Sequence, residues 1–297
     1  MTKEIFVTGS EGFIGRELVR RLKVTGFSVT GVDLVEPADA SLYKKFSRVD
    51  FRLPAVADVI PFGADAIVHL AALSSDPLCK NKPHECFDVN VMGTLNLMEA
   101  AVAQKAKQFI FASSEWVYEN FPEGKEKDEA AVIDISNHTS EYAISKFISE
   151  ANLRIQYKNG FCDTTILRFG IIYGPRKTNW SAVESIMSQV KNQSEITVGS
   201  LKTGRRFVHV TDIAGGIIKA IGLKGFEIIN LSGDRLVTLG EIIEKSKKIF
   251  GKEVKIIETN PQVVSIRNPS NEKARKVLGW KPEITLGEGL KSLLPFI

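Results

Sequence analysis

The chain has 297 residues, 43% hydrophobic and 25% charged, the composition of a globular protein long enough to bury a sizeable core. Its net charge of +4, from 39 basic against 35 acidic residues, is too mild for an electrostatic nucleic-acid binder. Three cysteines without a C-x-x-C pair exclude a disulfide framework, and four scattered histidines give no metal-ligand spacing. The start "MTKEIFVTG" lacks signal-peptide architecture, and no apolar run is long enough to span a bilayer. The expectation is a cytoplasmic protein with no metal, membrane or nucleic-acid partner.

In chain order, "EIFVTG" (4–9) reads as a buried strand and "FIGRELVRRLKVTG" (13–26) as an amphipathic helix. "FSVTGVD" (27–33), "DAIVHLAA" (65–72) and "KQFIFASS" (107–114) read as further strands, with a helix over 84–105 between the last two. A charged stretch at 119–137 reads as a surface loop beside the site; a helix containing "EYAISKF" and the strand "TTILRFG" (164–170) follow. Strands alternating with helices predict an α/β fold with a doubly wound parallel sheet over residues 1–170. After "YGPR" the rhythm is less regular, with a helix near 180–193, a strand "RRFVHV", a helix near 211–222 and a short terminal helix. Residues 171–297 are therefore expected to form a smaller α/β domain, with a segment of about 205–232 returning to the first.

Two motifs carry chemistry. "TGSEGFIG" (8–15) leaves the first strand and opens the first helix, so Gly9, Gly12 and Gly15 predict a tight turn whose helix N-terminus receives a pyrophosphate. Asp33, closing the second strand, is placed to accept hydrogen bonds from a ribose 2′-hydroxyl and to repel a 2′-phosphate. Tyr142 and Lys146 are four residues apart, so on a helix a phenol and an ammonium share one face. A cation beside a phenol lowers its pKa, which a tyrosine acting as a base requires.

The series "TGSEGFIG", "HLAA", "NVMGTLNLMEA", "FASSEWVY", "YAISK", "LRFGIIYGPR", "RRFVHVTDIA" and "LGWKPEITLGEGL" resembles the extended short-chain dehydrogenase/reductase family over nearly the whole chain, most closely its nucleotide-sugar epimerase/dehydratase branch. The resemblance implies NAD as cofactor, with Tyr142 as acid/base, Lys146 as its partner and Ser114, rather than Ser113, completing the catalytic set. Ser113 is then a strand-end hydroxyl bonded to backbone. It also implies cofactor contacts at Gly9, Gly12, Phe13, Ile14, Gly15, Asp33, Asp50, Leu70, Ala71, Ala72, Asn90 and Phe169. Ser74, Ser114, Arg176 and Arg205 are implied as contacts of a nucleotide-diphosphate sugar, and a homodimer is the implied assembly.

The sequence departs from the family pattern at Ile171 (often Asn), Glu119 (usually Gly) and Arg206 (usually Asp). Glu115 and Trp116 stand where dehydratases of the branch often carry an acid–base carboxylate pair, so only Glu115 matches as a candidate acid. The expected activity is NAD-dependent nucleotide-sugar epimerisation, by transient oxidation of a sugar hydroxyl. The alternatives are a dehydratase using Glu115, a 4-keto reductase, and a dinucleotide-binding protein without catalysis.

Overall fold

In the computed structural model, residues 2–119, 121, 124–178 and 180–297 are described. Parallel strands covered by helices on both faces must be apolar on both sides, and the first half of the chain follows that rule. β1 (Glu4–Thr8), α1 (Phe13–Val24), β2 (Ser28–Asp33), β3 (Lys45–Arg48) and β4 (Ala66–His69) come first, with β4 buried at every position. The short α2 (Asp76–Cys79) and α3 (Pro83–Phe87) follow, then a π-helical turn Asp88–Met92, α4 (Gly93–Ala103) and the wholly buried β5 (Gln108–Ser114). α5 (Glu141–Lys158) and β6 (Asp163–Phe169) continue the alternation.

After β7 (Ile172–Tyr173) and α6 (Ala182–Asn192) come β8 (Glu195–Val198), β9 (Gly204–Arg205), β10 (Val208–His209), α7 (Val210–Ala220) and β11 (Phe226–Leu231). The chain ends with β12 (Val237–Thr238), α8 (Leu239–Phe250), β13 (Lys255–Glu258), β14 (Ile266–Arg267), α9 (Glu272–Leu278) and α10 (Leu286–Ser292). One seven-stranded sheet has the order β11-β6-β5-β4-β1-β2-β3. β1 pairs in parallel with both β2 and β4, so strand order reverses there, and the crevice past Thr8 and His69 is the expected ligand position of an open α/β sheet.

The chain divides into two units. The first comprises 1–119, 131–168 and 214–229, and its core joins Phe6, Ile67, Leu97, Phe109, Phe111, Leu153 and Ile166. The second comprises 120–130, 169–213 and 230–297, with a core of Tyr173, Val183, Met187, Ile196, Phe207, Ile242 and Leu290. The segment rejoining the first unit is thus shorter than the 205–232 expected from sequence.

Two local expectations need correction, and one strand carries no signal in the sequence. The helix expected over 84–105 is interrupted by the π turn, where Thr94 Oγ1 (2.7 Å) and Ser149 Oγ (3.0 Å) both donate to the Asn90 carbonyl and compete with its helical partner. The expected strand "RRFVHV" is two short strands, and β9 is the centre of the sheet β12-β9-β14. β3, "KFSR", carries no clear apolar period and becomes a strand by pairing along β2 at the sheet's margin. Residues 120, 122 and 123 of the expected loop 119–137 lie outside the described residues.

Candidate active site

The glycine turn is built by close backbone approach. Gly9 has φ +66°, and a Cβ there would lie 2.7 Å from the Ala71 nitrogen; a Cβ on Gly15 would lie 2.1 Å from the Gly9 oxygen. Leu70, Ala71 and Ala72 therefore run directly against the turn; the Leu70 nitrogen donates to the Thr8 oxygen at 3.2 Å. Gly12, the N-cap of α1, has no side chain to cap the helix, and the first turn (Phe13, Ile14, Gly15) carries no acid. That leaves a helix N-terminus suited to a pyrophosphate and a cradle which any side chain at Gly9 or Gly15 would fill. NAD fits this site.

Asp33, at the end of β2, accepts from the Glu11 nitrogen at 2.9 Å and the Leu34 nitrogen at 2.7 Å, which fixes its carboxylate beside the turn. Glu11, a residue without a sequence signal, is buried there and accepts from the Tyr43 hydroxyl at 2.5 Å and Arg16 Nε at 3.0 Å. Asp50, expected as a cofactor contact, is paired with an arginine in this structure. Its carboxylate is committed to Arg52, with contacts of 2.6–3.1 Å, and those bonds hold its pKa below the ordinary carboxylate value.

The candidate catalytic face belongs to α5. Ser140 caps the helix by accepting from the Ala143 nitrogen at 3.2 Å, which places Tyr142 in the first turn and Lys146 one turn on. Tyr142, Lys146 and Ser114 are buried, and Glu115 is completely so. Burial pushes the Tyr142 phenol up to about 12; the Ser114 hydroxyl opposes this by hydrogen bonding, while the neighbouring Cys79, Cys86 and Glu115 side chains add to it. The expected lowering of the Tyr142 pKa is therefore not produced by these side chains alone. Lys146 Nζ sits 4.8 Å from the centroid of the Phe111 ring, and burial pulls it down to about 8. Tyr142 packs in a small cluster with Cys79, Cys86, Leu73, Phe87 and Trp116, so Trp116 is a wall and not an acid–base group.

Behind the Tyr142 face, a polar chain ties the parts together. Asn90 accepts from the Leu73 nitrogen at 2.8 Å, and its amide donates to the Leu73 oxygen at 3.1 Å and Ser145 Oγ at 3.0 Å. Thr94 spends its proton on the Asn90 carbonyl, so His69 Nε2 donates to Thr94 Oγ1 (3.1 Å) and Nδ1 accepts from Thr8 Oγ1 (2.7 Å). This assigns the neutral tautomer, and burial pulls the imidazole down to about 3. His69 lies in the "HLAA" stretch, where no local pattern marks it for a role. Ser113 does not bond backbone as expected: its hydroxyl donates to Glu150 Oε1 at 2.5 Å. Ser74 is exposed after β4.

Phe169, Arg176 and Arg205 belong to the second unit. Phe169 is buried. Arg205 donates to the Gly204 and Ser265 carbonyls (2.8 and 2.6 Å) and to Ser265 Oγ (3.0 Å), which holds its guanidinium in place. Arg206 pairs with Asn268 Oδ1 at 2.6 Å and with Glu126, so neither arginine is a loose surface charge. Arg176 donates to Glu184 Oε1 at 2.8 Å, the same carboxylate that completes the capping box of α6 with Ser181; this is a structural commitment.

A sheet that reverses order beside a glycine turn, with a buried Tyr–Lys face next to a serine, defines a dinucleotide-dependent short-chain oxidoreductase architecture. The family model for the NAD dependent epimerase/dehydratase family matches residues 5–232, and the chain belongs to that family. It is an NAD-dependent enzyme of the extended short-chain type. The chain is 28% identical to a UDP-glucuronate 4-epimerase of Thermodesulfobacterium geofontis, covering 96% of this chain and 93% of that one. It is 26% identical to UDP-glucuronic acid decarboxylase 3 of Arabidopsis thaliana, over 96% and 86% of the two chains. Among solved structures, the UDP-glucose 4-epimerase of Thermotoga maritima with UDP-glucose superposes with TM-score 0.87 at 25% identity, over 99% and 98% of the chains.

Proposed function

We propose that the protein is an NAD-dependent 4-epimerase of a UDP-activated hexose or hexuronic acid. The observation that carries this reading is the buried face of Ser114, Tyr142 and Lys146, set in the family scaffold beside a cradle for NAD. NAD, when bound, supplies the hydride acceptor and donor and, in its oxidised form, a positive ring that favours the phenolate. Tyr142 Oη takes the proton of the sugar hydroxyl and, once the keto sugar has turned its opposite face to the returning hydride, gives a proton back to the same oxygen. Ser114 donates a hydrogen bond that orients the oxygen undergoing reaction, and Lys146 holds positive charge beside that phenol. Asp33 favours NAD over NADP, since a carboxylate repels a 2′-phosphate. Arg205, prepositioned by Ser265, is assigned to the substrate diphosphate, and we propose a lesser role there for Arg176 because Glu184 already holds it.

A second reading keeps one observation in its favour. Glu115 is fully buried in the turn directly after Ser114, so it lies near the reacting group instead of turning to solvent. A carboxyl there suits elimination of water. Mass spectrometry of products from UDP-glucose and UDP-glucuronate decides between them. Unchanged mass with inverted stereochemistry supports the epimerase; loss of water or of carbon dioxide overturns it. Arg205→Ala is expected to weaken UDP binding about tenfold to a hundredfold, the loss of roughly 1.5–3 kcal/mol for a charge-assisted bond; equal titration curves for variant and wild type would remove Arg205 from the site. The exposed apolar residues Met92 and Val102 on or beside α4, and Ile155 on α5, support a homodimer through these helices, which sedimentation of the purified protein tests.

A further inference from the structure

Tyr142, Lys146 and Glu150 follow one another at i, i+4 and i+8 on α5, so they share one face, and all three are buried. The Glu150 carboxylate has three donors: Ser113 Oγ (2.5 Å) and Arg168 Nε (2.9 Å) on Oε1, and Arg168 Nη2 (2.6 Å) on Oε2. Ser113 immediately precedes the catalytic Ser114. Arg168, on β6, lies over the Tyr118 ring at 4.8 Å, and Tyr118 ends the turn Glu115–Tyr118 that follows Ser114. One carboxylate thus joins α5, the end of β5, the turn beyond it and β6. A buried ion pair is a poor means of stabilisation, since apolar groups of the same shape hold a core as well or better. The charge at this position needs another reason.

We propose that Glu150 is a positioning residue for the reaction: clamped by Arg168 and Ser113, it sets Ser114 against Tyr142 and holds Lys146 in its ammonium form. Lys146 interacts electrostatically with Cys79 of α2, Cys86 of α3, His69 of the sheet and Glu150 of its own helix, lies over the Phe111 ring, and shares its helix face with Tyr142 by spacing. Desolvation disfavours its charge, and of the groups opposing that effect Glu150 is the carboxylate. His69 is neutral, and burial raises Cys79 far above its ordinary value, so that thiol is protonated near neutrality.

The inference deepens the reading of the site as an epimerase centre, and its test separates the two. Protein carrying ¹³C-labelled lysine is titrated by NMR, with the Lys146 resonance assigned by its loss in Lys146→Met. Removing the anion favours the neutral amine, so Glu150→Gln should lower the Lys146 midpoint by about one pH unit. Glu150→Gln/Arg168→Met removes the guanidinium that the single variant would strand, and should restore thermal stability while keeping part of that shift. It decides the matter if the single variant does not fold. With UDP-glucose or UDP-glucuronate, the alkaline limb of kcat should move to lower pH by the same amount, with KM little changed. An unchanged Lys146 midpoint in the double variant, with kcat reduced equally at every pH, overturns the proposal. If the wild type turns over neither sugar nucleotide, the epimerase reading fails while the titration still decides the role of Glu150.

Discussion

The glycine turn, residues 9–15, is shaped by atoms that are missing; the buried face of α5 is shaped by charges that are present and uncomfortable. The turn works because no Cβ stands between the Gly9 oxygen and α1, where an added one would be 2.1 Å away. Its chemistry is fixed backbone N–H geometry, which is insensitive to pH. The α5 face buries an ammonium and a phenol together, one pulled down to about 8 and the other pushed up to about 12. Two nearby regions of one unit thus fail in different ways, one by collision and the other by loss of charge.

The largest effect should come from Tyr142→Phe. The ring packing against Cys79 and Cys86 is kept and only the hydroxyl is lost, so turnover should fall about 10²–10⁴-fold or more. NAD binding and the melting temperature should stay close to wild type. A variant with a near wild-type rate would show that the α5 face is packing and nothing else.

Gly15→Ala tests the opposite mode. The new methyl meets backbone that cannot swing aside, and overpacking of this kind costs about 1–3 kcal/mol. The expected outcome is a melting temperature several degrees lower and weaker NAD binding, with no change in the shape of the pH–rate profile. Undiminished NAD affinity by calorimetry would contradict the cradle.

Lys146→Met sharpens the electrostatic side. The Lys146 pKa is about 8 in the fold against 10.5 for a free lysine, so the unfolded chain holds more protons between those values. Burying the ammonium therefore costs stability in full below about pH 8, and the cost is released as pH rises towards 10.5. The variant should be inactive, yet melt higher than wild type at pH 7, with the gain shrinking through that window. A gain that stays constant with pH would point to packing instead of charge.

The smallest effect is expected at Glu119, which stands where the resemblance expects glycine. It has φ +54° and ψ −85°, a strained region for any residue with a Cβ, while its carboxylate lies 2.7 Å from His138 Nδ1. Glu119→Gly relieves the backbone and removes that contact; a net gain of about 1 kcal/mol or less is expected. Chemical denaturation measures it, and a clear loss of stability would mean that the His138 contact outweighs the strain.

The sequence by itself determined what local pattern can encode. The run of β-rich apolar segments and helices specified a parallel doubly wound sheet, because period and punctuation are local properties. The glycine turn and the Tyr142–Lys146 pair were legible for the same reason: a fixed spacing on a strand–turn–helix or on one helix carries its own geometry. Tertiary structure decided what depends on distant residues. It put Ser113 on Glu150 instead of backbone, spent Asp50 on Arg52 and Arg176 on Glu184, and placed Glu11 against Tyr43. It opened the helix at Asn90 through hydroxyls from Thr94 and Ser149, and it raised the Tyr142 pKa that the Tyr–Lys spacing alone suggests is lowered. Spacing tells which groups share a face, but how much water surrounds them, and which distant partner reaches them first, is set only when the sheet and its helices close over them.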